Sequence, residues 1–147
     1  MLRKKIDILL VEDNPGDIRL LREALDECRV NHRLEVATDG VKALECLRRE
    51  KSIPFRPLPD LILLDLNLPV KDGREVLMEI KTDETLRRIP VVVLSSSTAE
   101  EDIRRSYDHH ANCYICKPLD FDAFIEVVDS LGQFWLQTVK LPEKARP

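Results

Sequence analysis

No uninterrupted apolar run in this chain of 147 residues exceeds four or five positions, whereas a membrane-crossing helix needs roughly 20, so no transmembrane segment is expected. A secretory leader is missing as well: Met1-Leu2-Arg3-Lys4-Lys5 is basic, but Asp7 interrupts before a hydrophobic stretch can form. Both absences point to a cytoplasmic location. There Cys28, Cys46, Cys113 and Cys116 remain free thiols, because disulfides seldom persist in a reducing compartment. Positive charge is outnumbered, with 23 Lys and Arg against 27 Asp and Glu. A net charge of −4 and a pI near 5.5 argue against a nucleic-acid binder, which needs clustered Lys and Arg to face phosphates. The short basic clusters Arg48-Arg49-Glu50-Lys51 and Arg87-Arg88 read as solvated helix ends. There is no internal repeat and no low-complexity tract, and the length suits one domain.

What the chain does have is a rhythm of apolar runs alternating with amphipathic stretches, which favours an α/β fold: a doubly wound, five-stranded parallel sheet with five flanking helices. The strands are expected at residues 6–11, 33–37, 60–64, 90–94 and 112–116. All but the second are mostly apolar, as buried parallel strands are, while Leu34-Glu35-Val36 alternates like an edge strand. The first helix follows Asn14-Pro15 and lines up Ile18, Leu21, Leu25 and Cys28. A second, from about Asp39, is expected to bury Val41, Leu44 and Leu47, and a third, from about Asp72, Val76, Leu77 and Ile80. Thr98-Ala99-Glu100-Glu101 reads as a capping box for the fourth helix, which has mainly Ile103 and Tyr107 to pack. The last helix, from about Leu119, carries Phe121, Phe124, Ile125, Val128, Leu131 and Trp135, widened by Val127 and Phe134. Such a stripe is either a partner surface or is covered by the C-terminal segment folding back. Ser52-Ile53-Pro54-Phe55-Arg56-Pro57-Leu58-Pro59 is a stiff surface connection whose Ile53, Phe55 and Leu58 leave a docking role open.

The chemistry gathers at strand ends. Glu12 and Asp13 follow the first strand and Asp65 follows the third; Ser95 and Lys117 follow the fourth and fifth. In a doubly wound sheet, ligands bind beyond the carboxyl ends of the strands where the strand order reverses. If the order is 2-1-3-4-5, the first and third strands are neighbours and the three carboxylates share one cleft. An acidic cluster of this kind repels itself unless a cation neutralises it, and all-oxygen ligands favour a hard ion such as Mg²⁺. Asp65 is the candidate nucleophile, since a carboxylate can take up a phosphoryl group once charge repulsion is screened. Asp13, Asp65 and the backbone carbonyl of Asn67 are the direct metal-ligand candidates, with Glu12 acting through a water. Ser95 and Lys117 are candidates to engage phosphoryl oxygens. Lys117-Pro118 invites a cis peptide that would aim the lysine inward. Cys113-x-x-Cys116 beside His109-His110 looks like a metal cluster, but strand positions three apart face opposite ways, so core or half-buried thiols are the better reading.

Five motifs occur in fixed order: Val11-Glu12-Asp13-Asn14, Leu64-Asp65 through Pro69, Lys71-Asp72-Gly73, Ser95-Ser96 and Lys117-Pro118. In this the chain resembles the response-regulator receiver family over residues 5–131, in the manner of a stand-alone, chemotaxis-type receiver of flavodoxin-like fold. Residues 132–147 would form a C-terminal extension for interaction or dimerisation. The resemblance implies Mg²⁺-dependent transfer of a phosphoryl group to Asp65 from a histidine kinase, with Ser95 and Lys117 responding and Tyr114 as the switch aromatic. Asp65-Leu66-Asn67-Leu68-Pro69, the proline-rich insertion and the tail further resemble receivers that partner phytochrome-type histidine kinases, often as homodimers through the face made by the fourth helix, fifth strand and fifth helix. The insertion departs from the ordinary chemotaxis pattern, which puts a flagellar-motor target in doubt. Two other readings stand beside this one. An aspartate-nucleophile phosphatase would want an acid/base carboxylate two positions after Asp65, where this chain has Asn67. A receiver-like module that binds partners without phosphorylation would leave the complete residue set unexplained.

Overall fold

The computed structural model describes residues 5–28, 30–48 and 58–143. Strands β1 (Ile6–Val11), β2 (His32–Ala37), β3 (Leu61–Leu64), β4 (Val91–Ser95) and β5 (Cys113–Cys116) form one parallel sheet in the order β2-β1-β3-β4-β5. Helices α1 (Pro15–Glu27), α2 (Gly40–Arg48), α3 (Gly73–Thr82), α4 (Glu100–Asp108) and α5 (Phe121–Gly132) connect and follow the strands. The strand order is the one on which the shared acidic cleft depends.

Both faces of the sheet are covered, which is why the central strands are apolar at consecutive positions. Leu9, Val11, Ile62, Leu64, Val91 and Val93 point to one side and pack with Leu44 and Leu47 of α2 and Val76, Leu77 and Ile80 of α3. Ile8, Leu10, Leu61, Leu63, Val92 and Leu94 point to the other and pack with Leu21 and Leu25 of α1 and Phe124, Val128 and Leu131 of α5. Four helices start where a side chain satisfies a free N–H. Asn14 accepts from Asp17 N, Asp39 from Lys42 N, Asp72 from Arg74 N and Asp120 from Ala123 N.

Several expectations need correcting. Val41 is exposed, and Ala43 takes the core position beside Leu44 and Leu47, because α2 begins at Gly40 and its register turns Val41 outward. No capping box forms at Thr98. Ala99 occupies the N-cap without a side-chain bond, and Ser97 Oγ instead accepts from the Ala99 N–H at 3.3 Å. In α4 the buried residue is Ser106, whose hydroxyl donates to the Asp102 carbonyl, and Tyr107 is exposed. On α5, Phe121 lies on the solvent side. The proline-rich connection falls largely outside the described residues, but Leu58 is buried in the core and so is not free for docking.

The chain does not stop at α5. A π-helical segment, Gln133–Thr138, continues it and sets Leu136 into the core shared by α1 and α5, with Trp135 packed alongside. At the amino end of β4, Lys81 Nζ donates to the carbonyls of Arg87 (3.0 Å) and Ile89 (2.8 Å) and to Asn112 Oδ1 (3.2 Å). The same Asn112 oxygen accepts from the Val91 N–H, so one ammonium ties the end of α3 to the entries of β4 and β5.

Candidate functional site

Strand pairing builds the cleft. Val11 lies in register with Leu64, and the Asp65 N–H donates to the Val11 carbonyl at 3.0 Å, which brings the residues following β1 and β3 side by side. One carboxylate oxygen each from Glu12, Asp13 and Asp65 lies within 4.8 Å of the others. Glu12 and Asp65 are buried and Asp13 is exposed, so the cluster opens to solvent on the Asp13 side. This oxygen-only donor set, half open to water, fits a hard divalent ion such as Mg²⁺, which keeps several of its own waters.

The loop after β3 is pinned from below. The Gly73 N–H donates to the Leu66 carbonyl at 2.9 Å, and a Cβ on Gly73 would stand 2.2 Å from the Asp65 carbonyl oxygen. Only glycine allows α3 to start this close to the candidate nucleophile. Asp65 Oδ1 accepts the Asn67 N–H at 3.2 Å, which fixes the carboxylate against its own loop. Farther along, Val70 has φ 68° and is bracketed by a Lys71 N–H to Pro69 carbonyl bond of 2.7 Å, a γ-turn of the strained, left-handed kind.

Lys117 crosses the cleft. Its backbone N–H donates to the Ser95 carbonyl at 2.7 Å, and its Nζ lies 2.5 Å from Glu12 Oε2, 2.9 Å from Asp17 Oδ2 and 3.3 Å from Asp65 Oδ2. Burial pushes the Glu12 carboxyl up to about 7, and the nearby Asp65 charge adds to this against the pull of Lys117. Burial alone would depress the Lys117 ammonium, but its bonds to Glu12 and Asp17, with the charge of Asp65, outweigh that and hold it above the usual lysine range. The Lys117–Pro118 bond is trans, as no cis peptide occurs among the described residues. The cis expectation is thereby corrected. A trans bond is the ordinary preference, and the lysine reaches the carboxylates without the isomer.

Ser95 ends β4 with its side chain buried, and its Oγ accepts the Ser97 N–H at 3.2 Å. The Tyr114 hydroxyl donates to the Ser97 carbonyl at 2.8 Å, and the Tyr114 N–H donates to Tyr107 Oη at 3.1 Å. Ser97 Oγ in turn donates to Asp102 Oδ2 at 2.6 Å, while Arg74 Nε reaches Asp102 Oδ1 at 2.9 Å and Arg74 Nη1 reaches both oxygens of Asp72. The bond from Arg74 keeps the Asp102 carboxyl below its usual range. The loop after β4 is thus tied to the starts of α3 and α4.

Reasoning from sequence missed Asp17, Asp102 and Arg74. Asp17 was legible in principle, since it sits one helical turn after Asp13 at the same end of the sheet. The Arg74–Asp102 pair, formed between different helices, left no local signal. The two thiols of the Cys-x-x-Cys do part company. Cys113 is half-buried, packed against the core beside Trp135, whereas Cys116 corrects the buried expectation: at the end of β5 it is exposed, with Sγ 3.7 Å from the Ser97 carbonyl. His109 caps the end of α4, and His110 follows with φ 69°.

Comparison with known proteins accords with this geometry. Residues 8–129 match the family model described as the response regulator receiver domain. The response regulator Rcp1 of Synechocystis sp. is 47% identical over 135 residues, covering 92% of each chain. The structure of the Mn²⁺-bound form of response regulator Rcp1 superposes with a TM-score of 0.90 over 94% of this chain and 99% of that one, at 46% identity. The phosphorylated cyanobacterial phytochrome response regulator RcpA has a TM-score of 0.90 and 52% identity, covering 95% of this chain and 100% of its own. The probable methanogenesis regulatory protein FilR2 of Methanothrix harundinacea is 44% identical over 138 residues, covering 94% of this chain and 88% of that one.

Proposed function

The chain belongs to the response-regulator receiver family, and from that membership we propose that Asp65 is the residue phosphorylated, with a sensor histidine kinase as donor. An Asp65 carboxylate oxygen attacks the phosphorus of the phosphohistidine, and the P–N bond breaks. The imidazole nitrogen leaves with the electron pair and is protonated, and an acyl phosphate remains on Asp65. The observation that carries this reading is that Asp65 has carboxylate oxygens of Glu12 and Asp13 within 4.8 Å and the Lys117 ammonium at 3.3 Å.

Asp13, Asp65 and the Asn67 carbonyl would hold a Mg²⁺ ion directly, with Glu12 reaching it through an intervening water. The bound ion supplies charge screening between the Asp65 carboxylate and the incoming anion. Ser95 and Lys117 engage the phosphoryl oxygens, and Tyr114 responds through its bond to Ser97. The added group brings roughly −1.5 to −2 charges, enough to rearrange a hydrogen-bonded loop. With Asn67 where a phosphatase would carry an acid/base carboxylate, the protein assists its own phosphorylation and dephosphorylation and is not a multiple-turnover enzyme.

The cytoplasmic partner we propose is a phytochrome-type histidine kinase, a reading supported by the likeness to RcpA. Among the described residues no helix is long and apolar enough to cross a membrane. We further propose a homodimer through α4, β5 and α5. Exposed Tyr107 and Phe121, with a groove between Ile115, Val127, Phe134 and Trp135, support it. Residues 5–131 are taken as the receiver domain and 132–147 as the extension, although Leu136 is part of the core, which among the described residues leaves Phe134 and 137–143 for a partner.

Labelling with acetyl phosphate tests the assignment. Wild type is expected to label only with Mg²⁺ present and Asp65→Ala not at all; equal labelling of the variant refutes it. Repeated hydrolysis of p-nitrophenyl phosphate would instead favour a phosphatase.

A further inference from the structure

Lys117 has three N–H bonds to donate and three carboxylates within reach: Glu12, Asp17 and Asp65. Two of them also belong to the cluster suited to a cation, and Asp17 does not. A divalent ion bound there would compete for the oxygens of Asp65 directly and of Glu12 through a water, and would repel the ammonium beside them. The Lys117 side chain is only 9% exposed, so it cannot simply turn into water, and an unpaired buried charge is costly. Asp17 lies on the first turn of α1, its N–H held by Asn14 Oδ1 at 3.0 Å and its carboxylate 28% exposed.

We propose that Asp17 is a positioning residue that retains the Lys117 side chain when a cation takes over Glu12 and Asp65, which keeps the lysine within reach of an arriving phosphoryl group. The proposal rests on the receiver reading of the site and extends it to a residue outside the family's five motifs. Without Asp17, the lysine has only the cluster carboxylates to pair with, and it competes with the cation for them.

The test is a double-mutant cycle read by calorimetric titration of Mg²⁺ into metal-free protein. Asp17→Asn is expected to raise the Mg²⁺ dissociation constant about fivefold, the scale of one partly exposed ion pair, and Asp17→Ser to do the same. In a Lys117→Ala background, Asp17→Asn is expected to leave that constant unchanged, because the competitor is gone. Urea unfolding in EDTA identifies the folded variants, and either Asp17 variant suffices for the cycle. The proposal is overturned if Asp17→Asn weakens Mg²⁺ equally in both backgrounds, which would make it a mere through-space charge. No effect in either background overturns it too. Failure of the wild type to bind Mg²⁺ would take down the receiver reading itself, an outcome distinct from an additive cycle.

Discussion

The Tyr114 hydroxyl donates to the Ser97 carbonyl at 2.8 Å, joining the middle of β5 to the loop that leaves β4 two residues past Ser95. Tyr114→Phe removes that bond and leaves the ring in place. The variant is expected to lose about 1 kcal/mol in urea unfolding, and the amides of Ser97 and Ala99 should exchange faster with deuterium. Unchanged exchange at both would mean that Tyr114 does not restrain the loop.

Glu12 gives the metal-free protein a pH dependence of definite sign. Its carboxyl is raised from the ordinary 4.5 to about 7 in the folded state, mainly by burial, so between those values the native state holds more protons than the unfolded chain. The stabilisation from this group is complete below 4.5 and is lost as pH rises through 7. In EDTA, wild type should therefore lose stability relative to Glu12→Gln between about pH 5 and pH 8. Because cation binding needs the carboxylate, Mg²⁺ should bind about tenfold more tightly at pH 8 than at pH 6. A flat affinity across that range would contradict the raised value.

Gly73 has no room for a side chain, since its Cβ would meet the Asp65 carbonyl oxygen and the Leu66 Cα. Both are backbone atoms that cannot swing aside. Gly73→Ala is expected to destabilise by about 2–4 kcal/mol, at the upper end for single substitutions, and to weaken Mg²⁺ binding by displacing Asp65. A variant with wild-type melting and wild-type affinity would show that α3 can shift without cost.

Val70 is the reverse case. It is 82% exposed, so little packing is at stake, yet a β-branched side chain is held at φ 68°. Glycine carries no Cβ to clash there, and Val70→Gly is expected to gain about 1 kcal/mol in urea unfolding. No gain would show that the turn is not strained.

The central strands and the acidic cleft were readable because they rest on local patterns: four-residue apolar runs buried on both faces, and acids placed where those runs end. Cap chemistry was readable at Asn14 for the same reason, and Asp72 was legible as the start of α3. It failed at Thr98 because Ser97, already turned toward Asp102, supplies the oxygen instead. Val41 was misassigned because helical periodicity fixes spacing but not the phase at which a short helix meets the sheet. Arg74 depends on how α3 is set against α4, far along the chain, and nothing in the neighbouring residues encodes that, whereas Asp17 could have been noted as an acid on the first turn after the Glu12-Asp13 pair.

Lys81 fastens the amino ends of β4 and β5. Its bonds to Arg87, Ile89 and Asn112 lie at the opposite end of the strands from the carboxylates, on backbone and amide oxygens. The far ends of β4 and β5 are held by ionic and hydroxyl contacts that a new anion would rewrite. A rearrangement set off at the carboxylates is therefore expected to be smallest beside Lys81 and largest where the strands release their loops.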